Sequence, residues 1–334
     1  MLRRYSTPIA YLFLAVAACG DSSTGPAETA TAVAFVRRDS YTAPGRILVV
    51  DEEQRVTTVP LASSRSVAAF SWAPRGQVLA YVQGDSGIHL VNLDGSGART
   101  IAKTATVGAT FVEWSPDGRS IAFNGSGGAL FVTTPEGTRL TPVASVADES
   151  IWFPVWSPDS RRIAFNTYPS YRLGVVNADG SNLQLFDLPT AAAHPSWHPD
   201  GTELAYDDGR ELWTVNADGT HPRKVATQCP QGSPCAGRWF EYPRWSPDGL
   251  KLVALVYAGP FAVLNADGTD VRVVTGLTGS GVVDAHPRWA SDGRITFVSD
   301  RSGAPKIYIM NADTSGIRQL TIGTEYDDRP RWVP

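Results

Sequence analysis

The chain has 334 residues, with 29 Lys and Arg against 33 Asp and Glu, and a formal net charge of −4 at pH 7. Such mild acidity gives no electrostatic case for binding nucleic acid, which requires a basic surface. The 31 Gly and 24 Pro suit a fold built from turns. We therefore expect a turn-rich protein that has no nucleic-acid partner.

The first 18 residues have the pattern of a secretory signal peptide. Arg3 and Arg4 give a positive start, and an apolar run of ten residues follows at 9–18. A run of that length is too short to span a bilayer as a helix, and small residues close it, as they do in signal peptides. We predict that residues 1–18 are removed and that the mature chain is extracytoplasmic.

Cys19 directly follows this segment. The sequence Val-Ala-Ala-Cys that ends at Cys19 resembles a bacterial lipobox, which implies cleavage before Cys19 and acylation of this residue. An ordinary signal peptide with an incidental Cys is the alternative. Several acyl chains would anchor the protein stably, with residues 19–30 as a flexible tether rich in Gly, Ser and Thr. Gly20 after Cys19 favours the outer membrane over the inner one in a cell with two membranes.

One motif, Trp-Ser-Pro-Asp-Gly, recurs along the rest of the chain. It stands at 114–118, and degraded copies stand at 72–76 and 289–293. The seven tryptophans of the series are 42, 42, 41, 48, 44 and 43 residues apart. They are Trp72, Trp114, Trp156, Trp197, Trp245, Trp289 and Trp332. A fixed period of about 40–45 residues is the length of one four-stranded propeller blade.

Each repeat predicts four short strands. The first strand ends at the Trp, and the turn after it uses Pro to fix φ and Gly to accept a positive φ. An apolar strand, a variable loop, a third strand ending in Asn-x-Asp-Gly and a fourth strand complete the unit. We interpret the Trp as a structural anchor between blades rather than a platform for sugars. The Asn-x-Asp-Gly segments are predicted hairpin turns, since they lack the further acidic ligands of a calcium loop.

The two ends of the repeat region complete one blade. Three strands without a Trp strand precede the first Trp, at 33–36, 47–50 and 56–60, and a first strand with nothing after it stands at 329–332. We therefore predict an all-β, seven-bladed β-propeller over residues 31–334, closed by three N-terminal strands plus one C-terminal strand. Such closure removes open sheet edges.

Cys229 and Cys235 lie in the longest repeat. In an oxidising compartment a disulfide between them is the default expectation. Two free thiols and a metal site are the alternatives. A metal site would need more ligands, and His221 is the only candidate close in sequence.

The Trp-Ser-Pro-Asp-Gly, Ile-Ala-Phe and Asn-Ala-Asp-Gly series, as at 114–118, 121–123 and 177–180, resembles the TolB-type β-propeller repeat. The resemblance covers about residues 31–334 and implies a propeller. TolB itself carries an N-terminal α/β domain and six blades, so the resemblance is to the propeller family and does not extend to a Tol–Pal role. Similar propellers occur in prolyl oligopeptidase-like enzymes, whose catalytic Ser lies in a hydrolase domain, and in pectic oligosaccharide lyases, which hold a divalent metal with several histidines.

The candidate site lies on the first strands, which line the central channel. Residues three positions before the Trp and one position before it differ from blade to blade and are often polar. The candidates are His194, Tyr242, His286 and Arg329 in the first slot, and Arg244, Arg288 and Arg331 in the second. We predict a partner or ligand site at the channel mouth, on the face with the variable loops. Pairing among these side chains and with channel water is the alternative.

The sequence lacks a recognisable catalytic set. No Ser-His-Asp, Cys-His, Gly-x-Ser-x-Gly or glycine-rich phosphate signature stands out, and two well-placed histidines fall short of a catalytic metal site. We predict no enzyme activity, no cofactor and no bound metal. The favoured hypothesis is a monomeric, membrane-anchored lipoprotein whose propeller binds a protein or peptide of the cell envelope. The alternative is a module that binds envelope polysaccharide or cleaves it as a lyase.

Overall fold

The computed structural model describes residues 32–40, 42–61, 65–83, 87–102, 111–233, 235–257, 260–274 and 284–333. The predicted signal peptide, Cys19 and the tether lie outside these residues. Across the described ranges, no helical segment is long and apolar enough to cross a membrane.

The described residues are almost entirely β-strand and turn. In chain order the strands are β1 (Ala32–Arg38), β2 (Arg46–Asp51), β3 (Val56–Thr58), β4 (Val67–Trp72), β5 (Val78–Gln83), β6 (Ile88–Asn92), β7 (Arg99–Ala102), β8 (Val112–Trp114), β9 (Ile121–Asn124), β10 (Leu130–Thr133), β11 (Leu140–Ala144), β12 (Ser150–Trp156), β13 (Arg162–Tyr168), β14 (Leu173–Asn177), β15 (Gln184–Leu185), β16 (Ala193–Trp197), β17 (Glu203–Asp207), β18 (Leu212–Asn216), β19 (Arg223–Ala226), β20 (Phe240–Trp245), β21 (Lys251–Val256), β22 (Phe261–Asn265), β23 (Arg272–Val274), β24 (Asp284–Trp289), β25 (Ile295–Ser299), β26 (Lys306–Met310), β27 (Arg318–Gln319) and β28 (Tyr326–Val333). One 3-10 turn, Ser126–Gly128, lies between β9 and β10.

These strands form seven four-stranded antiparallel sheets, one for each blade. Blades 1 to 6 each use four consecutive strands, beginning with β4, β8, β12, β16, β20 and β24. Blade 7 has the order β28-β1-β2-β3, and β28 pairs with β1 from Ala32 opposite Val333 to Arg38 opposite Tyr326. The predicted seven-bladed ring, closed by three N-terminal strands and one C-terminal strand, is confirmed.

The repeated Trp residues lie between neighbouring blades. Trp156 is 7% exposed, and its Nε1 donates a hydrogen bond to the carbonyl oxygen of Glu113 in the preceding blade at 3.2 Å. Trp197 donates in the same way to Val155 at 3.1 Å. Burying a ring of this size removes roughly 150–250 Å² from water, which contributes about 4–6 kcal/mol before entropy is counted. Each anchor therefore adds an apolar contact, and several add a hydrogen bond, across a blade boundary.

The recurrent turns are held by their own Asp residues. In blade 2 the Asp117 carboxylate accepts hydrogen bonds from Ser115 Oγ at 2.6 Å and from the Arg119 amide at 3.0 Å, and Gly118 has a φ of 71°. In the Asn-x-Asp-Gly turn after β14, Asp179 accepts from the amide and the hydroxyl of Ser181. These carboxylates complete tight turns, which explains why the motif requires Asp at this position.

Candidate functional site at the central channel

The innermost strands of five blades carry the same backbone distortion three residues before the Trp. The register of pairing between the first and second strands shifts at this point in each of these blades. The residues there have a positive φ: Phe153 (48°), His194 (53°), Tyr242 (55°), His286 (52°) and Arg329 (53°). A β-bulge of this kind re-aims a side chain at a sheet edge, and bulky residues with positive φ cluster at functional positions.

A proline follows each of these five residues. Proline has no N–H to give to the strand ladder, so it fits a bulge where that bond is absent. The motif is therefore x-Pro-x-Trp, at Pro154, Pro195, Pro243, Pro287 and Pro330. This proline is the signal in the sequence for the bulge, and the site prediction missed it because it rested on the residues at either side.

The channel holds a cavity of about 400 Å³. Six of the seven predicted site residues line it: Tyr242, Arg244, His286, Arg288, Arg329 and Arg331. The remaining wall is mostly apolar and includes Phe70, Phe111, Val112, Phe153 and Leu255. The residues three positions before the Trp and one position before it therefore line the same cavity.

Arg244, Arg288 and Arg331 concentrate positive charge in this cavity. Burial lowers the pKa of Arg288 well below its usual range, and the neighbouring Arg331 and Arg244 lower it further, while Glu113 opposes them. Burial and Arg331 likewise lower the pKa of Arg244. A guanidinium stays protonated in proteins. Burial is the largest cause of both lowered pKa values, and repulsion among the arginines adds to it, while Glu113, and at Arg244 also Asp207, oppose it.

The three guanidiniums differ in their contacts. Arg244 donates from Nη1 to the carbonyl oxygen of Pro195 at 3.3 Å. Among the residues that the structure describes, the side chains of Arg288 and Arg331 form neither a hydrogen bond nor an ion pair. Arg288 and Arg331 are partly buried, and they present hydrogen-bond donors to the cavity that are available to a ligand.

His194, the seventh predicted residue, is not among the residues that line the cavity. Its ring stacks against Tyr242 with centroids 3.5 Å apart, and its Nδ1 lies 2.7 Å from Asp207 Oδ2. The buried Asp207 carboxylate also accepts the amides of Tyr242 at 3.0 Å and Gly209 at 3.1 Å. His194 and Asp207 therefore hold Tyr242 in place, His194 by stacking on its ring and Asp207 by accepting its backbone amide.

His286 and Arg329 belong to a second polar group at the closing blade. His286 Nδ1 lies 2.8 Å from Asp328 Oδ1, and the Arg329 guanidinium bonds to the carbonyl oxygen of Ala68 in blade 1. Burial alone would raise the pKa of Asp328, but the hydrogen bond with His286 and the nearby Arg329 outweigh it, and the pKa is lowered. This group connects blades 6, 7 and 1 around the channel.

An exposed set of aromatic side chains leads from the loop face toward the channel. Trp152, Tyr168 and Tyr171 are 40%, 42% and 39% exposed, and Trp152 stacks on Tyr168 with centroids 4.6 Å apart. The rings of Trp152 and Phe153 meet edge to face with centroids 6.1 Å apart, and those of Phe153 and Tyr242 meet in the same way with centroids 5.8 Å apart. We call these five residues the aromatic track. Its outer members were not predicted from the sequence.

Cys229 and Cys235 are joined by a disulfide, with Cα atoms 5.6 Å apart. Both are 1% exposed and pack with Phe240 and Trp245 between blades 4 and 5. His221, which was considered as a metal partner, instead hydrogen-bonds with Asn216 and Thr220. The disulfide lies in the connection between these blades and is not part of the cavity wall.

The fold and channel define the class: a seven-bladed β-propeller with a cationic cavity on its axis. Residues 170–334 match the TolB beta propeller domain model. The Tol-Pal system protein TolB of Bordetella pertussis is 32% identical over 150 residues, covering 43% of this chain and 33% of that protein. TolB of Bordetella parapertussis is 36% identical over 150 residues. The chain spans about a third of the length of these curated relatives.

Solved structures share the fold at low sequence identity. TolB from Acinetobacter baumannii superimposes with a TM-score of 0.55 at 16% identity, covering 92% of this chain and 68% of that one. An oligogalacturonate lyase from Vibrio parahaemolyticus superimposes with a TM-score of 0.64 at 15% sequence identity, covering 85% of this chain and 94% of that one. An oligogalacturonate lyase in complex with manganese superimposes with a TM-score of 0.62 at 16% sequence identity, covering 87% of this chain and 85% of that one. These likenesses show that the fold is shared, and the family match places residues 170–334, about half of the chain, in the TolB-type β-propeller family.

The manganese in one of these lyases raises the question of a metal site. In this chain the two channel histidines are engaged separately, His194 with Asp207 and His286 with Asp328. Within the described residues, no group of three or more His, Cys, Asp or Glu side chains is placed to hold a metal. The donor set around the cavity is instead four Arg, one His and one Tyr, which does not fit a divalent cation.

Proposed function

We propose that this chain is an extracytoplasmic propeller that binds a protein or peptide at the loop-face mouth of its channel. The observation that carries the proposal is the continuity of the aromatic track with the cavity that holds the guanidiniums of Arg288 and Arg331. Aromatic and Arg side chains dominate the energetics of protein interfaces. The relatives named as Tol-Pal system proteins support an envelope role with a protein partner.

The track and the cavity offer complementary kinds of contact. Exposed, mutually packed aromatic rings provide a large apolar area at low entropic cost, because packing already restricts their rotamers. The cavity behind them provides charged hydrogen-bond donors in a partly dry space, where such bonds are stronger than in water. A ligand that spans both would gain area from the track and specificity from the cavity.

Truncation of the track tests this function. Trp152→Ala is expected to weaken capture of the partner from native envelope extracts by about thirtyfold or more, because removing a Trp at an interface hot spot costs about 2 kcal/mol or more. Leu250→Ala is the control, since Leu250 is an exposed apolar residue, 67% exposed, on the opposite face. Equal capture by both variants and the unaltered protein would rule out the track as the binding surface.

We also propose that the mature chain begins at an acylated Cys19 and is held to a membrane through residues 19–30. The support is the lipobox-like sequence before Cys19. Cys19→Ala is expected to move the protein from the membrane fraction to the soluble fraction and to abolish incorporation of labelled palmitate. Ser23→Ala, within the tether, should change neither. Unchanged fractionation of the Cys19→Ala protein would contradict lipid anchoring.

A second candidate function is the binding of an acidic polysaccharide. The fold likeness to two oligogalacturonate lyases and the exposed stack of Trp152 on Tyr168 favour this candidate. Binding of trigalacturonate that depends on Trp152, with no protein captured, would support it over a protein partner. Formation of unsaturated sugar products, followed by ultraviolet absorbance, would distinguish cleavage from binding.

A further inference from the structure

The charge in the channel is unbalanced. Arg244, Arg288 and Arg331 interact electrostatically with one another, and Glu113 is the carboxylate that favours the charged form of Arg288. Three neighbouring guanidiniums in a partly desolvated space repel one another. A protein keeps such an arrangement at a cost in stability, and an anion bound among the three would remove that cost.

The chemistry of the lining limits what the anion can be. Guanidinium groups donate hydrogen bonds and accept none. The cavity presents four Arg side chains, with Tyr242 and His286 as its only side-chain acceptors among the described lining residues, against walls of Phe, Val, Leu, Ala and Pro. A sugar with many hydroxyl groups needs acceptors as well as donors, or those groups lose their water without replacement. A single carboxylate on an apolar residue matches both parts of the lining, because planar guanidiniums bind carboxylates in bidentate fashion.

The shape of the cavity limits how that carboxylate is presented. Its volume of about 400 Å³ falls within the range of small-molecule sites, roughly 300–1,000 Å³. The three Arg residues lie two positions beyond the bulge residues along strands that run away from the loop face. An internal Asp or Glu of a partner would have to bring two chain segments into this space, whereas a chain end brings one.

We propose that Arg244, Arg288 and Arg331 bind the C-terminal carboxylate of a peptide whose last residue is apolar. The apolar side chain packs against Phe111, Phe153 and Leu255, and the preceding residues lie over Tyr242 and the outer aromatic track. Capture of a chain-end carboxylate is an established mode of peptide recognition. This inference rests on the proposed peptide-binding function and specifies which part of the partner enters the channel.

The test uses two pools of N-acetylated tetrapeptides with randomised last two positions. The pools are identical except that one ends in a free carboxylate and the other in a carboxamide. We expect immobilised full-length protein to retain peptide acids with apolar last residues at least about tenfold more strongly than the matching amides, because a charge-assisted hydrogen bond contributes at least that factor. Equal retention of acids and amides would overturn the proposal.

Variants locate the effect in the channel. Arg288→Gln/Arg331→Gln should abolish the preference for acids, and Arg288→Lys/Arg331→Lys should retain part of it. Arg119→Gln/Arg161→Gln removes the same charge from exposed turns on the opposite face and should leave the preference intact. Because Arg288→Gln/Arg331→Gln relieves repulsion, its melting temperature should equal or exceed that of the unaltered protein, which separates lost binding from lost folding.

The outcomes separate this inference from the proposed function. A protein partner that binds Arg288→Gln/Arg331→Gln as well as it binds the unaltered chain would leave the proposed function standing and overturn the inference. Binding of trigalacturonate that depends on these arginines, with no retention of peptide acids, would also overturn the inference. The ligand of the channel would then be an acidic sugar and not a peptide. Acid-selective retention without any protein partner would support the carboxylate site and contradict an envelope protein as the physiological ligand.

Discussion

Deletion of residues 326–334 is expected to abolish the folded ring and produce aggregated protein. These residues include β28, which forms the innermost strand of blade 7 and pairs with β1 on both sides of its bulge. Without β28, the buried strand β1 becomes an open edge, and Trp332 and the channel residues Arg329 and Arg331 are lost with it. An unpaired, apolar edge strand is a template for intermolecular pairing.

The size of this effect follows from what the strand connects. β28 contacts blade 6 through β24, β25 and β26, as well as pairing with β1. Its removal therefore breaks a blade and a blade boundary together, and the loss should exceed the roughly 5–15 kcal/mol by which a domain is typically stable. Size-exclusion chromatography and thermal melting measure the result. Tyr326→Ser, at an exposed position of β28, is the control, and a monomeric deletion protein with an unchanged melting temperature would contradict ring closure.

Asp327→Ala is expected to destabilise the protein by about 3–5 kcal/mol, the usual cost of removing one partner of a buried ion pair. Asp327 lies on β28 and is fully buried. Its carboxylate accepts two hydrogen bonds from the Arg37 guanidinium on β1, at 2.6 and 2.8 Å, and lies 3.5 Å from the buried Lys306 Nζ on β26. Removing Asp327 would leave two cations without their shared counterion.

A second Asp–Arg pair provides the matched comparison for Asp327→Ala. Asp39 pairs with Arg46, but their side chains are 71% and 53% exposed. Asp39→Ala should therefore cost between about 0 and 1 kcal/mol. Urea unfolding of the two variants measures the difference. A loss of less than about 1 kcal/mol for Asp327→Ala, within the range of an exposed pair, would show that the Asp327 cluster does not hold the closing strand.

The number of blades and the closure of the ring could be predicted because both follow from the number and spacing of the repeats. The spacing of Trp72 to Trp332 set the number of blades, and the unmatched strands at the two chain ends had only each other as partners. The positions of Arg244, Arg288 and Arg331 followed from the same regularity, since one offset from the Trp recurs on every innermost strand. Repeat geometry carried this information because each blade occupies an equivalent place around the channel.

The contacts that distinguish one blade from another were beyond such reasoning. His194 and His286 occupy the same slot, yet one meets Asp207 on β17 and the other meets Asp328 on β28. The outer aromatic track joins β12 to the end of β13 and the loop after it, where strand pairing and loop path decide which rings meet. The repeat period fixes the position of a side chain on its strand, whereas its contacts depend on neighbouring residues that differ from blade to blade.

The most direct test of the central claim is site-specific photo-cross-linking in the native envelope. The photoreactive residue p-benzoylphenylalanine is placed at position 242, on the channel wall, and in a second protein at position 119, on the opposite face. We predict that position 242 cross-links one dominant protein through a peptide at its C-terminal end and that position 119 does not. Equal labelling at both positions, or cross-links to glycan alone at position 242, would contradict a channel that binds a protein partner.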